Sequence, residues 1–387
     1  MVFLLIIIYI AFIGLGLPDA LLGSAWPVMH TDIGAPLSVA GIISLIVSGG
    51  TVVSSLMSGR LVGRFKTGRV TTVSVFMTAA ALLGFSFSSK LWQMCLLAVP
   101  LGLGAGSVDA ALNHFVSLHY KARHMHWLHC FWGVGATLGP VILSFFLARE
   151  QGWKTAYRTV FFLQLGLAAV LLFSLPFWKK AETAAESADG TAAVVSIRDA
   201  FRLKGIKYAL LGFLCYCGYE AVAGLWTASF LVTQRGITPE RAALWSSLFY
   251  AGIGVGRILG GFIAAKVSAR RLIRYGCVIG LCGVAFLFLP GQWALPGIIL
   301  IGLGGAPFYP QMIHETPRRF GKAASGTAMG LQMACAYVGT TVLPPVVGLL
   351  SRPLTLAVFP VVLLLLEIAT LFFGEKTFGA TRPTLAP

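Results

Sequence analysis

Two stretches of this chain put carboxylates where carboxylates are rare. In "GLPDALLGSAWP", residues 16–27, Asp19 follows a proline deep in an apolar run; in "VDAALNHF", residues 108–115, Asp109 precedes Asn113 by four positions. An ionised aspartate at the centre of a bilayer costs at least ~2.5 kcal/mol, so it persists only where it faces protein or water. Removal from water favours the neutral form of a carboxyl, and an acid near that balance can take up and release a proton. Asp19 is therefore a candidate proton-coupling group, against the plainer reading of a protonated acid that bonds a neighbouring helix. Asp109 and Asn113 share one helix face, and an acid beside an amide is the donor and acceptor set that a polyhydroxyl solute needs. Asp109 qualifies for proton coupling and for solute contact. Asn113 is the only asparagine in the chain, so its polarity is not background composition.

Further polar groups stand in other apolar runs. Glu220, in "YEAVAGLW", either lines a cavity or bonds a neighbouring helix. Gln311 and Gln332 are weaker candidates for solute contact, since neutral amides often only bridge helices. Aromatic rings gather at bilayer interfaces; Trp132 and Trp226 lie further inside their runs and are the rings best placed to stack on a sugar, with His129 beside Trp132. Arg257 is costly to bury alone, so a carboxylate or carbonyl partner and a structural, gating role are expected. Glu315 stands near Arg318 and Arg319 and reads as an ordinary salt bridge, while Glu367 in the last run has no assigned partner. "HMHWLHC", residues 124–130, looks like a metal cluster, but no carboxylate stands at ligand spacing, so no metal is assigned. The chain carries no Gly-rich phosphate loop with Lys and Ser/Thr. No cofactor and no enzymatic activity are expected.

The elements that must hold these groups are membrane helices. Hydrophobic residues make up 57% of the 387 and charged residues 11%, with a mean hydropathy of +0.85. At roughly 20 apolar residues per crossing, twelve segments can be counted, at about 2–28, 36–59, 70–88, 91–118, 126–148, 155–177, 206–233, 240–264, 271–290, 293–316, 323–350 and 353–374. They divide into an N-terminal six-helix bundle over 1–177, a polar linker over 178–205 with one amphipathic turn or short helix, and a C-terminal six-helix bundle over 206–387 with a short tail. The first run begins at Val2 with no basic residue before it and reads as a retained first helix.

The formal net charge of +16 would suggest nucleic acid in a soluble protein. Here the basic residues sit in short loops between apolar runs, not on a face interleaved with aromatics, so no nucleic acid is expected. Most of the 29 Lys and Arg fall on one side of the predicted topology, including Arg60, Arg64, Lys66 and Arg69, then Lys266, Arg270, Arg271 and Arg274, then Arg318, Arg319 and Lys322. The positive-inside rule makes that side cytoplasmic, with both termini inside a cell membrane. The seven cysteines lie within apolar runs and read as small packing residues. "SGRLVGRFKTGR", residues 58–69, and "GGFIAAKVSARR", residues 260–271, each join a small-residue helix end to a tight basic loop. Two six-span halves with a repeated loop point to a secondary transporter built from structural repeats, with its site between the halves near the midplane.

These features resemble the major facilitator superfamily. The loop after the second span departs from that superfamily's glycine and basic pattern, since Gly63 or Arg64 stands where an acid is usual; Arg60 and Arg64 remain gate candidates. A finer resemblance is to the fucose/proton symporter family and its glucose/galactose relatives, carried by "LPDALLGSAWP", "VDAALNHF", "MHWLHCFWGVGATLGP" (125–140), "YEAVAGLW" (219–226), "GRILGGF" (256–262) and "ASGTAMGLQMACAYVGTTVLPPVVG" (324–348). The resemblance implies that Asp19, and Asp109 with Asn113, handle proton and sugar. Span 4 carries Asp109 where the fucose porter has the longer glutamate, and span 5 offers His129 and Trp132 where amides are commoner, so the sugar itself is not carried over.

The expectation is a monomeric, twelve-helix secondary active transporter, a proton-coupled symporter of a sugar or related small polar solute that works by alternating access. The same fold exports amphipathic drugs by proton antiport, and a pair of carboxylates can hold sodium in place of a proton. Both remain alternatives.

Overall fold

A computed structural model describes residues 2–120, 122–185, 196–264 and 266–381. Residues 186–195 of the linker and 382–387 of the tail lie outside the described residues. Among the described residues every regular element is a helix. The first half runs α1 (Val2–Asp19), α2 (Leu21–Asp32), α3 (Ala40–Phe65), α4 (Thr67–Phe87), α5 (Leu91–His119), α6 (Ala122–Leu147) and α7 (Gly152–Ala185). After the four-residue α8 (Ile197–Ala200), the second half runs α9 (Ile206–Arg235), α10 (Pro239–Ile263), α11 (Ala269–Leu287), α12 (Ala294–Gly305), α13 (Phe308–Phe320), α14 (Lys322–Leu354) and α15 (Val358–Ala380).

Eleven of the resulting spans are long and apolar enough to cross a bilayer on those criteria alone. The twelfth is α11, which carries Arg270, Arg271 and Arg274 in its first two turns. Its 19 residues rise about 28 Å, close to the ~30 Å hydrocarbon core, so it completes the set once its basic end sits at the interface. The fold is all-helical, with twelve spans.

Two spans expected to be continuous are broken. The first turns from α1 to α2 at Ala20, just after Pro18 and Asp19. The tenth turns from α12 to α13 at Ala306 and Pro307, after Gly304 and Gly305. A proline withholds a helical donor and paired glycines weaken the helix, which a hydropathy window does not register. The sixth span also outruns its expected end at 177, because the Ala- and Glu-rich residues 181–185 favour helix.

By contacts the chain falls into two compact units, one within 1–189 with 231–247 and the other within 190–230 with 248–387. In the first, α1 packs on α6, α3 and α4 on α5, and α4 on α7. Glycines set the closeness. A side chain at Gly102 would strike the Val47 carbonyl, and one at Gly106 the Thr51 carbonyl. Thr51 and Ser55 hydroxyls then donate across to the Gly102 and Gly106 carbonyls, each at 3.3 Å. These small-residue contacts are the membrane substitute for a water-driven core. They fix α5 one turn before Asp109. In the second unit α11 packs on α12 and α15, and Gly339 of α14 lets the backbone of α9 approach at Leu214.

Candidate functional site

In the first unit the site is built on the break in the first span. α1 ends at Asp19, whose neighbours Pro18 and Ala20 are buried while its own side chain is exposed. Eighteen residues into an apolar span, an exposed carboxylate must face water and not lipid. Gly16 and Gly135 bring α1 and α6 together: a side chain at Gly16 would meet the Trp132 carbonyl, and one at Gly135 the Ile13 carbonyl. That approach delivers the Trp132 indole, whose Nε1 donates to Asp19 Oδ2 at 2.8 Å. Trp132, expected to stack on solute, thus directs its polar edge to the acid. His129, one turn earlier, is half-buried and stands edge-on to Phe12, with ring centroids 5.9 Å apart.

Asp109 and Asn113 form a unit of their own on α5. Asn113 Nδ2 donates to Asp109 Oδ1 at 2.9 Å and to the Asp109 carbonyl at 3.0 Å. Both side chains are half-buried. Pro18 and Val108, the residues immediately before Asp19 and Asp109, line one small cavity between α1 and α5. An indole donor, two acids and one amide therefore converge in this unit. Together they can donate to and accept from a hydroxylated solute and also hold a proton.

In the second unit, Glu220 and Arg257 meet. Tyr216, one turn before Glu220 on α9, donates to Glu220 Oε2 at 2.6 Å, and the Arg257 guanidinium stands 3.6 Å from the same oxygen. Both side chains of the pair are mostly buried, at 15% and 21% exposure. Trp226 and Gln332 do not line a site here. Trp226 is fully buried with its Nε1 donating to the Pro344 carbonyl at 2.9 Å, and buried Gln332 accepts from the Thr316 hydroxyl at 3.0 Å. Both bridge helices, because their helices are packed on the faces that carry them. Gln311 is half-buried near the start of α13.

At the helix ends, Glu315 binds Arg319 at 2.8 Å and Arg318 at 3.1 Å, and exposed Arg270 and Arg274 clamp Glu375. Arg60 and Arg64 are exposed at the end of α3, Arg64 over the Phe65 ring. Among the described residues no three His, Cys, Asp or Glu converge on a metal position. The His126 side chain, part of the "HMHWLHC" stretch, lies outside the described residues.

The sequence reading missed two groups. Tyr216 binds Glu220 from four residues earlier, a spacing that could have exposed it. Gln164, the lone amide of the apolar run "VFFLQLGLAAVLLF", is 2% exposed and donates from α7 to the Gly14 carbonyl. Its polarity in that run was the available signal.

Twelve spans with polar groups held inside each unit define a multi-pass membrane protein. The profile of the Major Facilitator Superfamily matches residues 8–344 and, again, 208–386. The chain belongs to the Major Facilitator Superfamily. It is 23% identical over 327 residues to the cis,cis-muconate transport protein of Acinetobacter baylyi, covering 81% of this chain and 78% of that one. It is 25% identical over 264 residues to a glucose/mannose transporter of Bacillus subtilis, covering 66% of this chain and 65% of the relative. A putative glucose/galactose transporter of Helicobacter pylori is 23% identical over 270 residues, again 66% and 65% of the two chains. The match thus spans a little under two thirds of the two sugar transporters' length.

Proposed function

We propose that the chain is a proton-coupled symporter of a sugar or related small polar solute, working by alternating access, with Asp19 as the coupling acid and Asp109 with Asn113 as solute contacts. The observation that carries this reading is the exposed Asp19 carboxylate at the break of the first span, held at 2.8 Å by the Trp132 indole, with Pro18 beside it and Val108 beside Asp109 lining one small cavity. A broken helix in a transporter puts backbone and side-chain polar groups where an ion or solute can reach them. Protonation neutralises Asp19 and removes the cost of carrying a charge through the cycle. The names of two relatives, a glucose/mannose and a putative glucose/galactose transporter, support a sugar. The basic loops support a cell membrane with both termini cytoplasmic.

A second reading rests on the Arg257 guanidinium beside Glu220 and on the similarity to a cis,cis-muconate transport protein. In it the solute is an organic anion whose carboxylate takes the place of the Glu220 carboxylate at Arg257.

The deciding experiment is uptake into proteoliposomes of labelled glucose, galactose, mannose and cis,cis-muconate, under an imposed pH gradient, an imposed sodium gradient or neither. Asp19→Asn should abolish pH-driven accumulation and spare counterflow, which needs no gradient, whereas Asp109→Asn should lose both. Full pH-driven accumulation by Asp19→Asn defeats the proton reading, accumulation driven only by sodium replaces it, and uptake of muconate without sugars selects the organic anion.

A further inference from the structure

We infer that Gln164 is a positioning residue for Asp19: its amide takes the place of the backbone donor that Pro18 removes, and so fixes the last turn of α1. The role assigned to Asp19 rests on the function proposed above. The geometry does not.

Proline has no N–H, so the carbonyl four residues earlier loses its helical partner. For Pro18 that carbonyl belongs to Gly14. In an apolar span no water replaces the missing donor, and each such group left alone is costly. Gln164 Nε2, 150 positions away on α7, donates to the Gly14 oxygen. Gly14 makes room for it, since a side chain there would run into Leu167 and come within 3.3 Å of Gln164 Oε1. Gln164 Oε1 is itself buried without a hydrogen-bond partner. The amide is thus committed to Gly14 through its nitrogen alone.

The location ties this bond to the site. Gln164 lines a small cavity with Pro18 and Val108, the residues immediately before Asp19 and Asp109. α1 stops at Asp19, and the next residue, Ala20, already lies between the two helices. Pro18 removes one internal hydrogen bond from the terminal turn, residues 15–19, and the Gly14 carbonyl is fastened from outside by Gln164. Without that fastening the turn rewinds to satisfy Gly14, and the Asp19 carboxylate moves relative to the Trp132 indole. In this reading Gln164 never touches solute or proton.

The test is a double-mutant cycle on the full chain. Gln164→Met keeps the side-chain length and deletes the donor; Pro18→Ala restores a backbone N–H to Gly14. Both singles and the double are purified and compared for thermal midpoint, and for the pH profile of gradient-driven uptake and counterflow with labelled glucose, or cis,cis-muconate if glucose is not carried. Gln164→Met alone should lower uptake about tenfold, as leaving a buried carbonyl unpartnered implies, and displace the pH profile. In the Pro18→Ala background the same change should do neither. An equal loss in both backgrounds overturns the inference, as does a lower thermal midpoint with an unmoved pH profile. Should Gln164→Met alone fail to fold, the double must fold, and a double that also fails overturns the inference. The thermal cycle needs no transported solute, so it stands or falls separately from the proton reading, which Asp19→Asn tests.

Discussion

Gly16 is the point where packing and chemistry are most tightly joined. An alanine there would place its Cβ 2.7 Å from the Ala136 nitrogen and hard against the Trp132 carbonyl. A carbon needs about 3.5 Å from a non-bonded heavy atom, so relief of the Ala136 contact alone makes α1 and α6 separate locally by about 0.8 Å, and the closer Trp132 carbonyl demands more. The same shift stretches the Trp132 to Asp19 hydrogen bond from 2.8 Å to about 3.6 Å, beyond the range in which an N–H···O contact counts as one. A hydrogen bond to a charged group is worth about 1.5–3 kcal/mol, equivalent to roughly a ten- to hundredfold loss of coupled uptake. Overpacking adds about 1–3 kcal/mol of destabilisation. Gly49→Ala is the control, because nothing lies within 4 Å of the added carbon there and alanine favours helix. Both variants would be assayed for pH-driven accumulation in proteoliposomes and for thermal midpoint. Trp132→Phe, which keeps a ring and deletes the donor, should reproduce the transport loss of Gly16→Ala without its overpacking. If Gly16→Ala transports like Gly49→Ala, the reasoning from close approach to acid geometry is wrong.

Other consequences are more local. Glu315→Gln breaks a pair whose members are mostly buried, Glu315 at 7% and Arg319 at 11% exposure, and should cost about 3 kcal/mol; Glu375→Gln, on more exposed arginines, should cost under about 1 kcal/mol. Comparable thermal midpoints for the two would contradict this ranking. Glu367 is buried with the Cys277 thiol beside its carboxylate, so Glu367→Gln should keep the folded yield while Glu367→Lys loses it in detergent-solubilised expression. Opposite it, a side chain at Gly280 would come within 2.6 Å of Glu367 Oε1. Gly280→Ala should therefore destabilise by about 1–3 kcal/mol and be relieved in part by Glu367→Ala, which a four-way thermal comparison reads directly. Lys66 joins α3 to α4 at φ 72°, ψ 153°, a region that glycine occupies without cost. Lys66→Gly should raise the thermal midpoint by the equivalent of about 1 kcal/mol.

Much of the architecture was readable because the bilayer is a simple solvent. It demands about 20 apolar residues per crossing, so run length alone yields twelve spans, and α11 needs only its arginine-rich first turns set aside. The acids Asp19, Asp109 and Glu220 within apolar runs were visible for the same reason: charge is rare where it is expensive. What the runs conceal is direction. A span that is apolar all round has no face to read, so nothing in the sequence separated Trp132, which meets Asp19, from Trp226, which is sealed against Pro344. The breaks at Ala20 and at Ala306–Pro307 were equally hidden, although Pro18 marked one of them.

By composition and spacing, then, the sequence determined a membrane protein of twelve helices, with an acid in the first span and an acid and amide on one face of the fourth. Asp109 and Asn113 are four apart, and a helix puts such residues together whatever surrounds it. Tertiary structure alone decided that Asp19 meets Trp132 across 113 positions, that Glu220 meets Arg257, and that Gln164 closes the gap left by Pro18. Those contacts depend on which glycines let which backbones approach, and in lipid, where apolar surface has no water to escape, that steric detail sets the pairing of helices.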